Sequence, residues 1–217
     1  MVCHCDRIAS IRPDNFVVTH GDILIKGAKK EYIKDFLDKL ESAGGKICEE
    51  KDGLRFYYKK PLKAVDIETR PYPGFMTDWQ APWAVLMTQA IGSCVIHETV
   101  FENKLGYIEE LQKMGVNAIL FNPKIKNPEK IYNFNLSDDK SKYFHAVRLK
   151  GPTKLHNAVI TMRDIRAGAA VLIAALAASG SSTIYEIEKL DRGYESLEKR
   201  LKKLGANIER VTEKKII

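Results

Sequence analysis

The chain has 217 residues, a formal net charge of +7 and 45% hydrophobic residues. This length accommodates one large domain or two small ones, and the apolar content is that of a globular protein with a core. The positive charge favours anionic partners, but Lys and Arg are spread along the chain without an arginine-rich arm. Nucleic-acid binding is therefore not expected, and a generic basic surface would explain the charge equally well.

Neither a membrane span nor a disulfide framework is predicted. The longest apolar run, Ala167–Ala178, is too short to cross a bilayer, and no signal peptide is recognised. Cys48 and Cys94 fall in strand-like runs and are expected to be buried thiols. The Cys-His-Cys triplet at residues 3–5 lacks the usual zinc spacing. We therefore expect a cytoplasmic protein with no metal, no cofactor and no membrane partner.

A pattern of glycine, strand, amphipathic helix, glycine and strand occurs three times, starting near residues 21, 92 and 180. The helices are predicted at 32–40, 105–114 and 194–204, with apolar residues at helical spacing and Lys and Glu on the opposite face. Each is expected to end at a glycine (Gly44, Gly115 or Gly205), which adopts the positive φ of a helix end. Such repetition is typical of a domain built from three βαβ-type modules.

Two further helices are predicted near residues 80–90 and 165–179, and they carry almost no charge. A helix that is apolar on all sides is buried on all sides. We expect this pair at the centre, wrapped by sheets that carry the charged helices outside. The first module lacks an equivalent helix, because residues 8–20 are short and broken by Pro13. The modules are placed at about residues 6–75, 76–162 and 163–217 of a single domain, 1–217.

The segment 122–143 is polar, with two prolines and the run Ser137-Asp138-Asp139. It is predicted to form a long hairpin or loop inside the second module. Two interpretations stay open for it, a solvated insertion and a functional lid.

Polar residues cluster before both buried helices. Thr77 with Gln80 fits a capping box, and Asp78 lies in the first turn, where the helix dipole stabilises an acid. Asp78 is accordingly a candidate functional acid or simply a helix cap. Asp164 is the natural N-cap of the second helix, and Arg166 is a cation in its first turn. A cation there opposes the helix dipole, which favours a role with a ligand or an ion pair.

Lys104 and Arg192 lie in equivalent strand-to-helix turns of modules two and three. If the modules are pseudo-symmetric, these two cations lie at the same end of the domain. Two cations and two helix N-termini around one opening suit a phosphorylated or carboxylated ligand. Both could equally be surface charges on loops.

Four strings, in this order and spacing, resemble the UDP-N-acetylglucosamine enolpyruvyl transferases. They are Phe75-Met-Thr-Asp-Trp-Gln, Glu98-Thr-Val-Phe-Glu-Asn-Lys, Arg163-Asp-Ile-Arg-Ala-Gly-Ala and Asp191-Arg-Gly-Tyr-Glu. The resemblance runs from about Asp6 to Val211 and covers only the second half of that enzyme. It implies an α/β (α+β) enolpyruvyl-transferase-like domain of three repeated βαβ-type modules around buried helices, with the family's first domain absent.

The resemblance also implies substrates and site residues. These enzymes transfer enolpyruvyl from phosphoenolpyruvate to the 3-hydroxyl of UDP-N-acetylglucosamine in peptidoglycan synthesis, and hence in cell wall biogenesis, cell shape and cell division. By motif match, Asp78 is the catalytic acid that accepts or relays the hydroxyl proton, and Arg192 contacts phosphoenolpyruvate. Lys104 stands where the family usually has arginine, so the charge is kept but the bidentate fork is lost. The matched substrate-binding positions are Thr77, Val100, Phe101, Lys104, Asp164 and Arg166.

In this family, the loop cysteine and the lysine that engage phosphoenolpyruvate come from the first domain, and nothing in this chain matches them. We therefore expect the chain alone to be inactive, with the first domain as its partner in cis or as a separate chain. Two alternatives are kept. One is a domain of enolpyruvylshikimate phosphate synthase, which shares the fold, and the other is a non-catalytic binding or interaction module derived from the family.

Overall fold

The structure is a computed structural model that describes residues 2–4, 22–162 and 165–211, with backbone only at 2–4 and 165–167. Its strands are β1 (Val2–His4), β2 (Asp22–Lys26), β3 (Lys46–Glu50), β4 (Gly53–Tyr57), β5 (Ile67–Glu68), β6 (Gly92–His97), β7 (Asn117–Phe121), β8 (Ala146–Gly151), β9 (Val159–Thr161), β10 (Ser181–Tyr185) and β11 (Ile208–Glu209). Its α-helices are α1 (Lys34–Ser42), α2 (Thr77–Thr88), α3 (Ile108–Gln112), α4 (Ile165–Ala177), α5 (Glu188–Asp191) and α6 (Leu197–Lys203). Short 3-10 helices lie at Lys30–Tyr32, Pro128–Lys130 and Leu136–Asp138.

The strands form three sheets with one shared pattern. Their orders are β2-β4-β3, β5-β6-β8-β7 and β11-β1-β10-β9. In each sheet the two strands of a repeat flank a third strand that is antiparallel to both, namely β4, β8 or β1. The predicted threefold repeat is therefore confirmed as β2-α1-β3, β6-α3-β7 and β10-α6-β11. The third repeat takes its central strand from the beginning of the chain.

The three amphipathic helices end where the sequence predicts. Gly44, Gly115 and Gly205 have φ values of 95°, 92° and 92°. All three helices start later than predicted, for local reasons. Ser196 has a left-handed φ of 47°, so α6 begins only at the next residue. Ile33 has φ of −131° and separates α1 from the preceding 3-10 turn.

The two apolar helices are buried, as predicted. Every side chain of α2 from Gln80 to Thr88 is buried except Pro82, which is half-buried. In α4 all the side chains from Gly168 to Leu176 are buried. The two helices pack against each other and belong to one continuous apolar core. Among the residues that the structure describes, no helix is long and apolar enough to cross a membrane.

The prediction for the two strand cysteines is half right. Cys94 is buried, and burial raises the pKa of its thiol to about 12, which keeps it protonated. Cys48 is exposed, so the prediction of a buried thiol there was wrong. Cys48 pairs in register with Arg55, another exposed residue, so it lies on the solvent face of its sheet. Alternation along the strand does not say which of its two faces meets the core.

The polar segment 122–143 forms a loop with two 3-10 turns and is fastened to the end of β6. The backbone N–H of Asn133 donates to the carbonyl of Thr99 at 2.7 Å. The Tyr132 ring lies 5.6 Å from the ring of His97 and 4.9 Å from that of His145. Burial lowers the pKa of His97, despite the opposing effect of its Glu68 neighbour. The middle of the segment is thus packed onto the sheet.

Because α4 lies at the centre of the core, a cavity in this helix should lower the free energy of unfolding strongly. Leu172 is 1% exposed, and Leu172→Ala should lower the free energy of unfolding by about 2–5 kcal/mol, since the cavity adds to the lost transfer energy. Leu204→Ala is the matched control, because Leu204 is 46% exposed. Urea denaturation of both variants measures the difference. A loss below about 1 kcal/mol for Leu172→Ala would contradict the central position of the helix.

Candidate functional site

The buried carboxylate of Glu98, just after β6, joins two segments that carry predicted site residues. Glu98 is 1% exposed. Its Oε1 accepts hydrogen bonds from the backbone N–H groups of Val100 at 2.8 Å and Phe101 at 3.0 Å. Its Oε2 accepts from the Thr77 hydroxyl at 2.8 Å and the Gln80 side-chain amide at 2.9 Å. Each carboxylate oxygen therefore holds a different segment.

The capping box predicted for Thr77 and Gln80 is wrong. The residue at the N-cap of α2 is Met76, and no side chain caps the helix. Thr77 and Gln80 lie inside the helix and donate to Glu98 instead. A buried carboxylate needs donors to replace lost water, so it competes successfully for these side chains.

Asp78 lies in the first turn of α2, between the two residues that bind Glu98, and its side chain is exposed. An acid at this end of a helix is stabilised by the free N–H groups and the dipole. The helix continues through Pro82, which has no N–H to donate to the carbonyl of Asp78. Asp78 is therefore exposed on a helix whose other side chains are buried or half-buried.

The segment after β6 places a cation beside an aromatic ring. The Nζ of Lys104 lies 4.8 Å from the centroid of the Phe101 ring, within the range of a cation–π contact. Phe101 is 39% exposed and Lys104 is half-buried. Lys104 makes no ion pair within the residues that the structure describes, so its charge is open to a ligand.

A cavity of about 460 Å³ lies beside Lys104. Its walls include Lys104, Tyr107, Lys142, Thr161 and Gly168. Gly168 belongs to the first half of α4, so the cavity joins the β6–α3 connection to the head of the second buried helix. A side chain at Gly168 would collide with Met162, because an added Cβ would lie 2.4 Å from its Sδ atom. This close approach of α4 to the end of β9 shapes one wall.

The other predicted site residues lie apart from Glu98 or beyond the description. Arg192 directly follows α5 and is exposed, and its side chain makes no hydrogen bond or ion pair with any described residue. Its helix α5 packs against α4, the same helix that borders the cavity. Asp164 lies outside the described residues, and so does the side chain of Arg166. The described residues contain no group of three His, Cys, Asp or Glu side chains that could hold a metal ion.

Glu98 lies within one of the four strings, but no pattern in the sequence assigns it a role. The same is true of Thr69 and Thr99, which are both fully buried, and the hydroxyl of Thr69 accepts from the backbone N–H of Thr99 at 2.8 Å. The sequence signal that could have indicated them is the pair Glu98-Thr99 directly after a strand, because polar residues that are buried at such a position need hydrogen-bond partners. Those partners lie 18 to 30 residues away along the chain, beyond the reach of local patterns.

The sequence of the chain matches a known protein family. The family model of EPSP synthase (3-phosphoshikimate 1-carboxyvinyltransferase) matches residues 15–201. The UDP-N-acetylglucosamine 1-carboxyvinyltransferase of Chlamydia trachomatis serovar D is 41% identical over 194 residues, 88% of this chain and 42% of that protein. The enzyme of the same name from Chlamydia muridarum is 42% identical over 200 residues, 91% of this chain and 43% of that protein. The chain thus spans under half the length of the curated relatives it matches.

Solved structures show the same fold. The enolpyruvyl transferase NikO from Streptomyces tendae matches with a TM-score of 0.74 and 26% identity, covering 91% of this chain and 42% of that one. EPSP synthase from Acinetobacter baumannii matches with a TM-score of 0.60 and 15% identity, covering 92% of this chain and 46% of that one. At that identity the second likeness concerns the fold alone. The predicted enolpyruvyl-transferase-like fold is confirmed.

Proposed function

The chain belongs to the EPSP synthase family, and from this premise we propose that it forms part of a UDP-N-acetylglucosamine 1-carboxyvinyltransferase. The observation that carries the proposal is the 41–42% identity to enzymes of that name over about nine-tenths of this chain. The reaction transfers enolpyruvyl from phosphoenolpyruvate to the sugar 3-hydroxyl, with release of phosphate. In the cell this step would serve peptidoglycan synthesis.

The exposed Asp78 supports a role as the group that takes the proton of the sugar hydroxyl. Lys104 and Arg192 carry positive charge without an ion-pair partner among the described residues, which suits contacts with a phosphate or a carboxylate. Thr77, Val100 and Phe101 all donate to Glu98 and are proposed to lie near the sugar nucleotide, as are Asp164 and Arg166. Addition and elimination at the enolpyruvyl carbon also need a general acid and a phosphate clamp. We propose that these groups come from the family's first domain.

A domain of EPSP synthase is the second candidate, because the matching family model carries that name. Sequence identity disfavours it. Identity to the EPSP synthase structures is 15–16%, against 41–42% for the sugar-nucleotide enzymes. Binding of UDP-N-acetylglucosamine in preference to shikimate 3-phosphate would decide between the two.

We expect the 217-residue chain by itself to release no phosphate from phosphoenolpyruvate and UDP-N-acetylglucosamine, because it supplies a base and only part of a phosphate clamp. Mixing it with the remaining residues of the Chlamydia trachomatis relative, expressed as a separate chain, should restore phosphate release. A colorimetric phosphate assay measures both, and titration calorimetry tests weak binding of the sugar nucleotide to the chain alone.

Two outcomes would contradict this proposal in different ways. Turnover by the chain alone would show that no further domain is required. Absence of both sugar-nucleotide binding and complemented activity, in a chain that is folded by circular dichroism, would favour the non-catalytic interaction module.

In the complemented enzyme, substitutions of Asp78 and of Arg192 should change different kinetic constants. Asp78→Asn keeps the shape but removes the base, so kcat should fall by about 10²-fold or more with little change in sugar-nucleotide affinity. Arg192→Lys keeps the charge but loses the planar fork, so the KM for phosphoenolpyruvate should rise while that for the sugar nucleotide stays near normal. Steady-state kinetics with each substrate varied in turn measure the split.

Asp52→Asn is the matched control for Asp78, because Asp52 is an exposed aspartate in the β3–β4 turn. It should leave both constants unchanged. If Asp78→Asn keeps full turnover and only lowers the melting temperature, Asp78 is a structural residue of the helix end and the catalytic assignment is wrong.

A further inference from the structure

We infer that Glu98 is a positioning residue of the proposed transferase, holding Asp78 and the Phe101–Lys104 segment in one fixed geometry. The inference rests on the proposed function for its effect on rate. Its structural basis is that the two carboxylate oxygens bind different segments. One oxygen binds the first turn of α2, and the other binds the backbone after β6.

The surroundings of Glu98 make this arrangement stiff. The side chain is 1% exposed, and within the described residues it has no Lys or Arg partner, so its charge is balanced by four neutral donors. A buried carboxylate is tolerated only where donors replace its lost water. Hydrogen bonds to an ion are about twice as strong as those between neutral groups. Displacing either segment would therefore leave a buried charge short of donors.

On the helix side, Glu98 holds the first turn of α2 through two side chains. Thr77 and Gln80 stand on either side of Asp78 in sequence, and both donate to the same carboxylate oxygen. The N-cap residue Met76 supplies no side-chain hydrogen bond to this turn, and Pro82 has no N–H for the carbonyl of Asp78. The turn that carries Asp78 is thus held by Glu98.

On the loop side, the second oxygen sets the place of a cation. Binding of the N–H groups of Val100 and Phe101 turns the backbone back towards Glu98. The Phe101 ring then lies under the Nζ of Lys104 at 4.8 Å. Lys104 forms part of the wall of the 460 Å³ cavity. The relative positions of Asp78 and Lys104 therefore both depend on the side chain of Glu98.

The backbone of Glu98 is itself fixed, so the carboxylate acts as an anchor. The N–H of Glu98 donates to the carbonyl of His145 at 2.7 Å. The next residue, Thr99, exchanges two hydrogen bonds with Thr69, at 2.8 and 2.5 Å. The backbone around Glu98 is thus hydrogen-bonded to the residues directly before β8 and directly after β5.

The test uses Glu98→Gln, which keeps the shape and removes the charge. The new amide offers Val100 and Phe101 only a neutral oxygen, which binds their N–H groups more weakly than a carboxylate does. Its NH₂ group also faces the amide of Gln80. The double variant Gln80→Glu with Glu98→Gln exchanges the two groups and restores a donor–acceptor match between them. Glu198→Gln is the control, since Glu198 is also a buried glutamate (8% exposed) but lies in α6.

Two readouts are needed. Amide hydrogen exchange in the 217-residue chain reports the loop, and Glu98→Gln should speed exchange at Val100 and Phe101 by about tenfold, against less than about twofold for the control. In the complemented enzyme, kcat should fall by about tenfold with the KM for phosphoenolpyruvate within about twofold, and the double variant should recover at least about threefold of that loss.

Each result decides the inference. Unchanged exchange at Val100 and Phe101 would show that Glu98 does not hold the loop. Faster exchange with unchanged kcat, or a loss of kcat that the double variant does not recover, would reduce Glu98 to a structural residue. An inactive complemented wild type that also fails to bind the sugar nucleotide would, by contrast, contradict the proposed function itself.

Discussion

The carboxylate of Glu98 is the interaction on which the candidate site depends. It is buried, and it is satisfied entirely by neutral donors from two segments that are remote from each other in sequence. Because burial of a carboxylate is costly without such donors, the position of Glu98 requires α2 and the loop after β6 to meet at this point. The exposed acid and the open cation of the site are positioned as a consequence.

The threefold repeat explains how these segments come to meet. In each sheet two repeat strands flank an antiparallel strand, and the connection between them carries an amphipathic helix. The apolar helices α2 and α4 then fill the space between the sheets. Small residues allow close contact there, as where Gly168 in α4 lies against Met162 at the end of β9. The beginning of α2 is thereby brought near the loop that follows β6.

The charges of Lys104 and Arg192 support the proposal that the site binds anionic ligands. Lys104 and Arg192 come from different repeats, and neither forms an ion pair within the residues described. Some other cations are paired with a carboxylate, as Arg55 is with Asp22 and Arg210 with Asp191. A cation left without a carboxylate keeps its full charge for a ligand. The substrates proposed for this chain, a sugar nucleotide and phosphoenolpyruvate, are both anionic.

The sequence by itself determined the features that depend on neighbouring residues. The helix ends at Gly44, Gly115 and Gly205 follow from the positive φ that glycine permits, and the burial of α2 and α4 follows from their lack of charge. Only the tertiary structure decided how polar groups are paired. The sequence pattern of Thr77 and Gln80 is that of a local helix cap, but both side chains bind Glu98. Cys48 lies in a strand, as its sequence pattern predicts, but on the solvent face of the sheet. The physical reason is that local patterns encode periodicity and backbone preference, whereas the partner of a buried charge is fixed by which distant segments the packed sheets bring into contact.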